Sequence, residues 1–169
     1  FWMADASNIS TAAGLDAAIQ AANGANAATN QIDLVAGAVV ALTQPLTAIK
    51  PRTYASVAIG GAGATLDGQG VAPGLEVGGG FVTITDLSVV NTTGAGLTVV
   101  SGGVATLSGS NAFSGGIDVN GGALVVSSQS AVGAGAIGIE AGGALSFAAD
   151  NTSLANAVAI SGSALVYAS

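Results

Sequence analysis

The sequence repeats itself about every twenty residues, and this period limits the possible folds more than any other feature of the chain. Glycine pairs mark the repeat at Gly102-Gly103, Gly121-Gly122 and Gly142-Gly143, and Gly162 follows at a similar interval. A short run of alternating apolar and polar residues precedes each pair, and a second run follows it. Because such alternation is typical of β-strands, each repeat is predicted to hold two short strands joined at a glycine corner.

The run that precedes the corner occurs seven times, at intervals of 18 to 25 residues. The seven copies are Ile32-Asp33-Leu34, Val57-Ala58-Ile59, Leu75-Glu76-Val77, Leu97-Thr98-Val99, Ile117-Asp118-Val119, Ile137-Gly138-Ile139 and Val158-Ala159-Ile160. Strands this short cannot bury an apolar face alone, whereas stacked copies pair at about 4.8 Å and share one core. The sequence therefore predicts an all-β solenoid, a parallel β-helix. In the second run, Leu124, Leu145 and Leu165 occupy matching positions and are predicted to stack inward.

The segment before the repeats has a different pattern. Within residues 10–23, Leu15, Ile19 and Ala22 fall on one helical face, Ser10 or Thr11 can cap the start, and Asn23-Gly24 is a stop signal. We therefore expect residues 1–30 to form an N-terminal cap with a short amphipathic helix at about 10–23, and residues 31–169 to form the coils. Residues 167–169 show no comparable cap, so we expect the native protein to continue beyond this sequence.

Composition excludes several kinds of chemistry. The chain has two cations, nine carboxylates and a net charge of −7, and it contains neither histidine nor cysteine. These counts exclude His-assisted nucleophiles, imidazole-ligated metals, disulfide scaffolds and a basic nucleic-acid surface. We predict no catalytic, cofactor-binding or metal-binding residue and no nucleic-acid partner.

Three local motifs each have a simpler structural explanation. Residues 133–138 match G-x-G-x-x-G, but a strand follows where a dinucleotide site needs a helix, so a glycine corner is favoured. Residues 60–67 resemble a calcium nonapeptide, yet Thr65 replaces the ligand aspartate and the motif does not recur. The basic cluster Lys50-Pro51-Arg52 could bind an acidic sugar, but a solvated loop is favoured.

Outward-facing carboxylates provide the one candidate for catalysis. The middle residues of the seven runs form a predicted outward column of Asp33, Ala58, Glu76, Thr98, Asp118, Gly138 and Ala159. In this column the Glu76 and Asp118 carboxylates would lie two coils apart, about 9.6 Å, at the outer limit for an inverting acid/base pair. Since like charges on adjacent strands repel, the spacing is better interpreted as a requirement of a soluble stack.

One stretch resembles a known family. Residues 107–124, LSGSNAFSGGIDVNGGAL, resemble the strand repeat of bacterial autotransporter passengers, roughly L-x-G-x-N-x-[YF]-x-G-G-x-x-V-x-x-G-x-L. Upstream, LDAAIQAAN, then Ile32-Asp33-Leu34 and ATLDGQG are similar to the opening of pectin-lyase-like β-helices. The two resemblances together cover most of residues 10–167.

The resemblance implies a right-handed β-helix that is exported through the outer membrane and attached to a barrel that this sequence does not contain. The absence of cysteine agrees with it, because periplasmic disulfides would obstruct threading of an unfolded passenger. We therefore predict a non-catalytic stalk or adhesive module at the bacterial cell surface or outside the cell, acting in adhesion, aggregation or biofilm formation. Its expected partners are a host or neighbouring cell surface, or a second copy through open coil edges. The alternative is a carbohydrate-active or polysaccharide-binding pectin-lyase-like β-helix.

Overall fold

A computed structural model describes residues 5–148 and 154–168, without the side chains of Tyr167 and Ala168. Most of its regular structure is parallel β-strand, with one α-helix and one short 3-10 turn at Gln129–Val132. In chain order the elements are β1 (Ala6–Ile9), α1 (Ala12–Gly24), β2 (Thr29–Leu34), β3 (Val39–Ala41), β4 (Ser56–Asp67), β5 (Leu75–Val77), β6 (Gly80–Val90), β7 (Leu97–Val100), β8 (Gly103–Ser108), β9 (Ala112–Phe113), β10 (Ile117–Asn120), β11 (Ala123–Val126), β12 (Ile137–Ile139), β13 (Ala144–Phe147), β14 (Val158–Ile160) and β15 (Leu165–Ala168).

These strands form two sheets in which the pairings between named strands are parallel. The larger sheet has the order β1-β2-β4-β6-β8-β11-β13-β15, with β3 beside β4 and β9 beside β6. The smaller sheet has the order β14-β12-β10-β7-β5. From β5 onward the chain alternates between the two sheets, apart from β9, and each crossing adds a strand to the same edge. Apolar residues of both sheets meet in one buried core.

The register confirms part of the predicted outward column and corrects the rest. Glu76, Thr98, Asp118, Gly138 and Ala159 follow one another across the smaller sheet.

The two upstream copies do not belong to this column, and the prediction is wrong for them. Both Asp33 and Ala58 lie in the larger sheet, where Asp33 pairs with Gly60 and Ala58 pairs with Gln31 and Thr83. The prediction failed because strands of both sheets share the same apolar alternation. In addition, Gly60-Gly61 lies within β4, at a register shift, whereas the other glycine pairs lie at corners between strands.

The glycine corners are confirmed, and the two glycines of a pair have different roles. Gly102, Gly121 and Gly142 have φ values of 87°, 79° and 81°, which only glycine adopts without strain. The second glycine is needed for close packing instead. A Cβ atom at Gly103 or Gly122 would lie 2.6 or 2.5 Å from a backbone carbonyl oxygen of the adjacent strand level.

The inward stacking of leucines is confirmed for two positions and is wrong for the third. Leu124 and Leu145 pair in register and are buried. Leu165 instead pairs with Ala144, while Val166 lies opposite Leu145. Leu165 is 68% exposed. The alternation in SALVYAS is apolar on both faces, so the pattern could not decide which residue points inward.

The N-terminal segment contains the predicted helix and one strand that the pattern did not reveal. The Thr11 hydroxyl accepts a hydrogen bond from the Gly14 N–H and caps α1, whose buried face includes Leu15 and Ile19. Strand β1 pairs with β2 and occupies the edge of the larger sheet. Its four residues, ASNI, lack the alternation from which the other strands were predicted. No helix within the described residues has the length and apolar character needed to span a membrane.

Candidate functional site

The two candidate acid/base residues lie on one face of the smaller sheet but their carboxylates are not brought together. Glu76 in β5 and Asp118 in β10 are separated by Thr98, so two strand spacings, about 9.6 Å, divide their backbones. A Cβ atom at Gly138 would lie 3.0 Å from Asp118 Oδ1, so this carboxylate lies over the strand on the far side from Glu76. Both side chains are exposed, and the arrangement forms no enclosed acid/base site.

The carboxylate of Asp67, at the end of β4, stabilises a turn through hydrogen bonds. Its Oδ1 accepts hydrogen bonds from the Gln69 N–H at 2.9 Å and from Asn91 Nδ2 at 3.0 Å. These two hydrogen bonds hold the pKa of Asp67 below its ordinary value, the Gln69 N–H having the larger effect. Residues 60–67, which resemble a calcium nonapeptide, therefore run as a strand into this turn and present no ligand loop.

The motif that resembles the autotransporter repeat has a structural role in this chain. Asn111 is 4% exposed, and its amide contacts three levels of the chain. Its Oδ1 accepts from the Leu87 N–H at 2.9 Å, and its Nδ2 donates to the carbonyl oxygens of Ser108 and Ala131, both at 2.9 Å. The aromatic Phe113 is 1% exposed in the core. The polar position of the motif thus fixes a corner, and the aromatic position fills the core.

The basic cluster lies in the loop before β4. It packs on a glycine triplet, Gly78–Gly80, that leads from β5 into β6. The Lys50 stem crosses Gly79, where an added Cβ atom would lie 3.2 Å from Lys50 Cγ. Pro51 is buried against Gly80, whose added Cβ atom would lie 2.7 Å from Pro51 Cγ. Gly78–Gly80 therefore serve as a floor without side chains on which this loop rests.

Both charged groups of this cluster are available to solvent. The Lys50 backbone N–H donates to Asn23 Oδ1 at 2.7 Å, while its side chain is exposed. Arg52 is exposed and donates from Nη1 to Asn26 Oδ1 at 3.3 Å. No ion pair of either cation occurs among the residues that the structure describes. The expectation of a solvated loop agrees with this exposure.

Two exposed aromatic rings stand beside these cations. Tyr54 is 94% exposed and has a φ of 67°, a left-handed conformation that is uncommon for a bulky residue. Phe81 is 60% exposed at the start of β6. Both residues line one open groove, together with Lys50, Thr53, the glycine triplet and Ser101. Arg52 instead lies, with Tyr54, on a second groove on the side of residues 25–28.

The sequence pointed to Lys50 in this site but not to its aromatic residues. Tyr54 follows the basic cluster directly in KPRTY, which is a local signal that could have been read. Phe81 could not have been found in this way, because it is distant in sequence. It comes close only because β6 pairs with β4, where Phe81 lies opposite Ser56. The groove lined by Lys50, Tyr54 and Phe81 is the candidate site of the molecule, and we refer to it as the Tyr54 groove.

Other groupings carry less chemistry. In residues 5–148 and 154–168, no three acidic side chains are grouped so that they could hold a metal ion. Residues 133–136 connect the 3-10 turn to β12, which begins at Ile137 within the glycine motif, so a strand and not a helix stands there, as the sequence predicts. We found no match to the chain among protein-family models, curated proteins or solved structures.

Proposed function

We propose that the chain is a right-handed parallel β-helix that serves as a non-catalytic, surface-displayed autotransporter passenger fragment. The observation that carries the architecture is the alternation of strands between two parallel sheets from β5 to β15, each crossing adding one level. The short connections between these strands leave room for no helix longer than the 3-10 turn in residues 75–148. Parallel crossover connections are right-handed in nearly all proteins, which supports the hand.

Support for the passenger assignment comes from the motif in residues 107–124. Its Asn111 and glycine pairs lie at turns between strands and its Phe113 fills the core, which is what a motif repeated along a stacked stalk requires. A stalk or adhesive module needs an extended surface and no reactive site. The exposed positions of this chain, outside the Tyr54 groove, are mostly small or hydroxyl-bearing.

Export in an unfolded state can be tested with cysteines, since the chain has none. The chain would be fused to an autotransporter barrel in a bacterium with an oxidising periplasm. Thr98 and Asp118 pair in register, so Thr98→Cys with Asp118→Cys can form a disulfide. We expect the double variant to reach the surface several-fold less than the single variant Thr98→Cys, measured by protease accessibility on intact cells. Equal display of both would contradict transport as an unfolded chain.

The alternative function, a carbohydrate-active β-helix, is tested by activity. We expect no turnover of acidic or neutral polysaccharides by the unaltered chain. The carboxylates of Glu76 and Asp118 lie beside different residues and are not brought together as an acid/base pair. Turnover that Glu76→Gln with Asp118→Asn abolishes would establish the enzyme instead. The matched control is Glu140→Gln, an exposed carboxylate at the end of β12.

A further inference from the structure

Two asparagines of the chain stand directly before a glycine, at Asn23-Gly24 and Asn120-Gly121. Asparagine is chemically labile, and it loses its amide most readily before glycine. The reason is that glycine has no Cβ atom to hinder attack of its backbone nitrogen on the asparagine side chain. In sequence the two sites are alike, but the fold separates them, because it holds one amide and leaves the other free.

The amide of Asn23 is held on both sides. Its Nδ2 donates to the Ala48 carbonyl oxygen at 2.8 Å, and its Oδ1 accepts from the Lys50 N–H at 2.7 Å. Gly24 is the last residue of α1, so its backbone belongs to the helix. Asn23 would have to break both hydrogen bonds before its Cγ atom could meet the Gly24 nitrogen. The fold therefore protects this site.

The amide of Asn120 is free to turn. Asn120 is exposed at the end of β10, and in the part of the chain that the structure describes its side chain has no hydrogen-bond partner. Gly121 follows at the corner with a φ of 79°. A Cβ atom at Gly121 would clash with the Ser101 hydroxyl oxygen, so the fold keeps glycine next to this asparagine.

We propose that Asn120 is a modification site at which the folded chain deamidates spontaneously. The Gly121 nitrogen bonds to Asn120 Cγ, the C–N bond of the side-chain amide breaks, and ammonia leaves with the Gly121 amide proton. Water then opens the resulting succinimide ring. Opening at Cγ gives aspartate, and opening at the backbone carbonyl carbon gives isoaspartate. The net change is the exchange of ammonia for water, with no oxidant or reductant. The site is independent of the passenger function.

The product places a new carboxylate beside two others. Asp118 is exposed two residues earlier on the same face of β10. Glu140 is also exposed, and its N–H donates to the Val119 carbonyl oxygen at 2.8 Å, so Glu140 lies next to Asn120 on the adjacent strand level. Like charges on neighbouring strand positions repel, so deamidation should destabilise this corner.

Isoaspartate should destabilise the corner further, because it lengthens the backbone by one carbon atom. The chain has no room for a shift here: a Cβ atom at Gly122 would lie 2.5 Å from the Val100 carbonyl oxygen. We therefore expect the isoaspartate form to melt below the variant Asn120→Asp, and that variant to melt below the parent chain.

The experiment incubates the 169-residue chain at about pH 8.5 and 37 °C, folded and in urea, and follows a mass gain of about 1 Da at each asparagine after digestion. In urea the two sites should react at similar rates. In the folded chain Asn120 should react at least tenfold faster than Asn23, and its rate should rise with pH because the Gly121 nitrogen must lose its proton. An unreacted Asn120, or equal rates in the folded chain, would overturn the proposal. The same tenfold preference in urea would show that the fold does not select the site.

Variants test the site in the intact chain by ion exchange, which separates the more acidic product. Asn120→Gln should slow the appearance of acidic forms at least tenfold without a lower Tm, because glutamine does not form the five-membered ring. The control Asn26→Gln, at an exposed asparagine that precedes alanine, should leave the rate unchanged. Acidic forms that appear at the parent rate in Asn120→Gln would overturn the assignment. An isolated isoaspartate form that melts with the parent would overturn the predicted effect on the corner.

Discussion

At the scale of single residues, the Asn111 side chain holds three levels of the molecule together. It lies among β6, β8 and the 3-10 turn and satisfies one backbone N–H and two backbone carbonyl groups. A backbone polar group that is buried without a partner costs about 1–3 kcal/mol. The Asn111 amide therefore stabilises the fold far more than an exposed amide would. The sequence motif marks the position, but only the contacts explain why asparagine is needed.

Replacing Asn111 with alanine should therefore destabilise the chain by about 2–4 kcal/mol, because three buried groups lose their partner. The control is Asn120→Ala, at the exposed end of β10, which should change the free energy of unfolding by less than about 0.5 kcal/mol. Urea denaturation of both variants measures the difference. Similar effects from the two substitutions would show that the Asn111 amide does not link the levels.

At the scale of elements, periodicity predicted the strands well but could not assign every strand to its sheet. The copies from Leu75 to Ile160 follow one another in register, as the spacing predicts. The sequence pattern did not predict strand β1 or the sheet to which Val57–Ile59 belongs, because pairing with other strands decides both. Strand β1 is held by β2, and β4 is held by its neighbours on both sides. The Tyr54 groove was missed for the same reason, since Tyr54 and Phe81 come from different levels of the chain.

The register of the last strand gives a test in the core. Leu145→Ala should cost about 2–5 kcal/mol because Leu145 is buried between Leu124 and Val166. Leu165→Ala, at a 68% exposed position, should cost less than about 1 kcal/mol, and Thr83→Ala on the outer face should cost little. Chemical denaturation would contradict this register if Leu165→Ala proved as damaging as Leu145→Ala.

The attachment of α1 should depend on pH through Asp16. Its Oδ1 accepts from the Thr47 N–H at 2.6 Å, and its Oδ2 accepts from Gln20 Nε2 at 2.7 Å. The Thr47 N–H is the largest cause that holds the pKa of Asp16 below its ordinary value, against a smaller opposing effect of burial. A lowered pKa in the folded state means that this stabilisation is full above the unfolded value of about 3.9 and is lost as the pH falls through the lower folded value.

Asp16→Ala should accordingly reduce the free energy of unfolding by about 1 kcal/mol at neutral pH, since the carboxylate is only partly buried. The difference from the unaltered chain should shrink as the pH falls below about 4. Glu140→Ala, an exposed carboxylate, is the control. Thermal unfolding at several pH values measures both, and a difference that stays constant down to pH 2 would contradict the role of Asp16.

At the scale of the whole molecule, the two ends of the stack differ. Strand β1 occupies one edge of the larger sheet and α1 packs beside it. At the other end, β14 and β15 have no further partner strand among the described residues. Ile160 and Val166 are 55% and 49% exposed there, although their partners Ile139 and Leu145 are buried. An apolar strand edge of this kind is a template for association.

We therefore predict that the 169-residue chain self-associates through β14 and β15. Ile160→Lys with Val166→Lys should keep it monomeric and folded, because charges on an edge strand oppose pairing and each level contacts only its neighbours. The control Val71→Lys adds a charge at a 62% exposed position elsewhere and should leave association unchanged. Light scattering against concentration is the measurement, and a parent chain that is monomeric at about millimolar concentration would contradict the prediction.

A β-helix requires both sheets to rise in step, one strand in each sheet for each turn of the chain. Four pairings separate Glu76 from Ala159 in the smaller sheet, and four separate Phe81 from Leu165 in the larger one. Since the chain has no cysteine, spin labels can be attached at each pair through introduced cysteines. Pulsed electron paramagnetic resonance measures the distance between the two labels, with labelled chain diluted in unlabelled chain. It should give both pairs the same backbone separation of about 19 Å. Clearly unequal distances for the two pairs would contradict the β-helix.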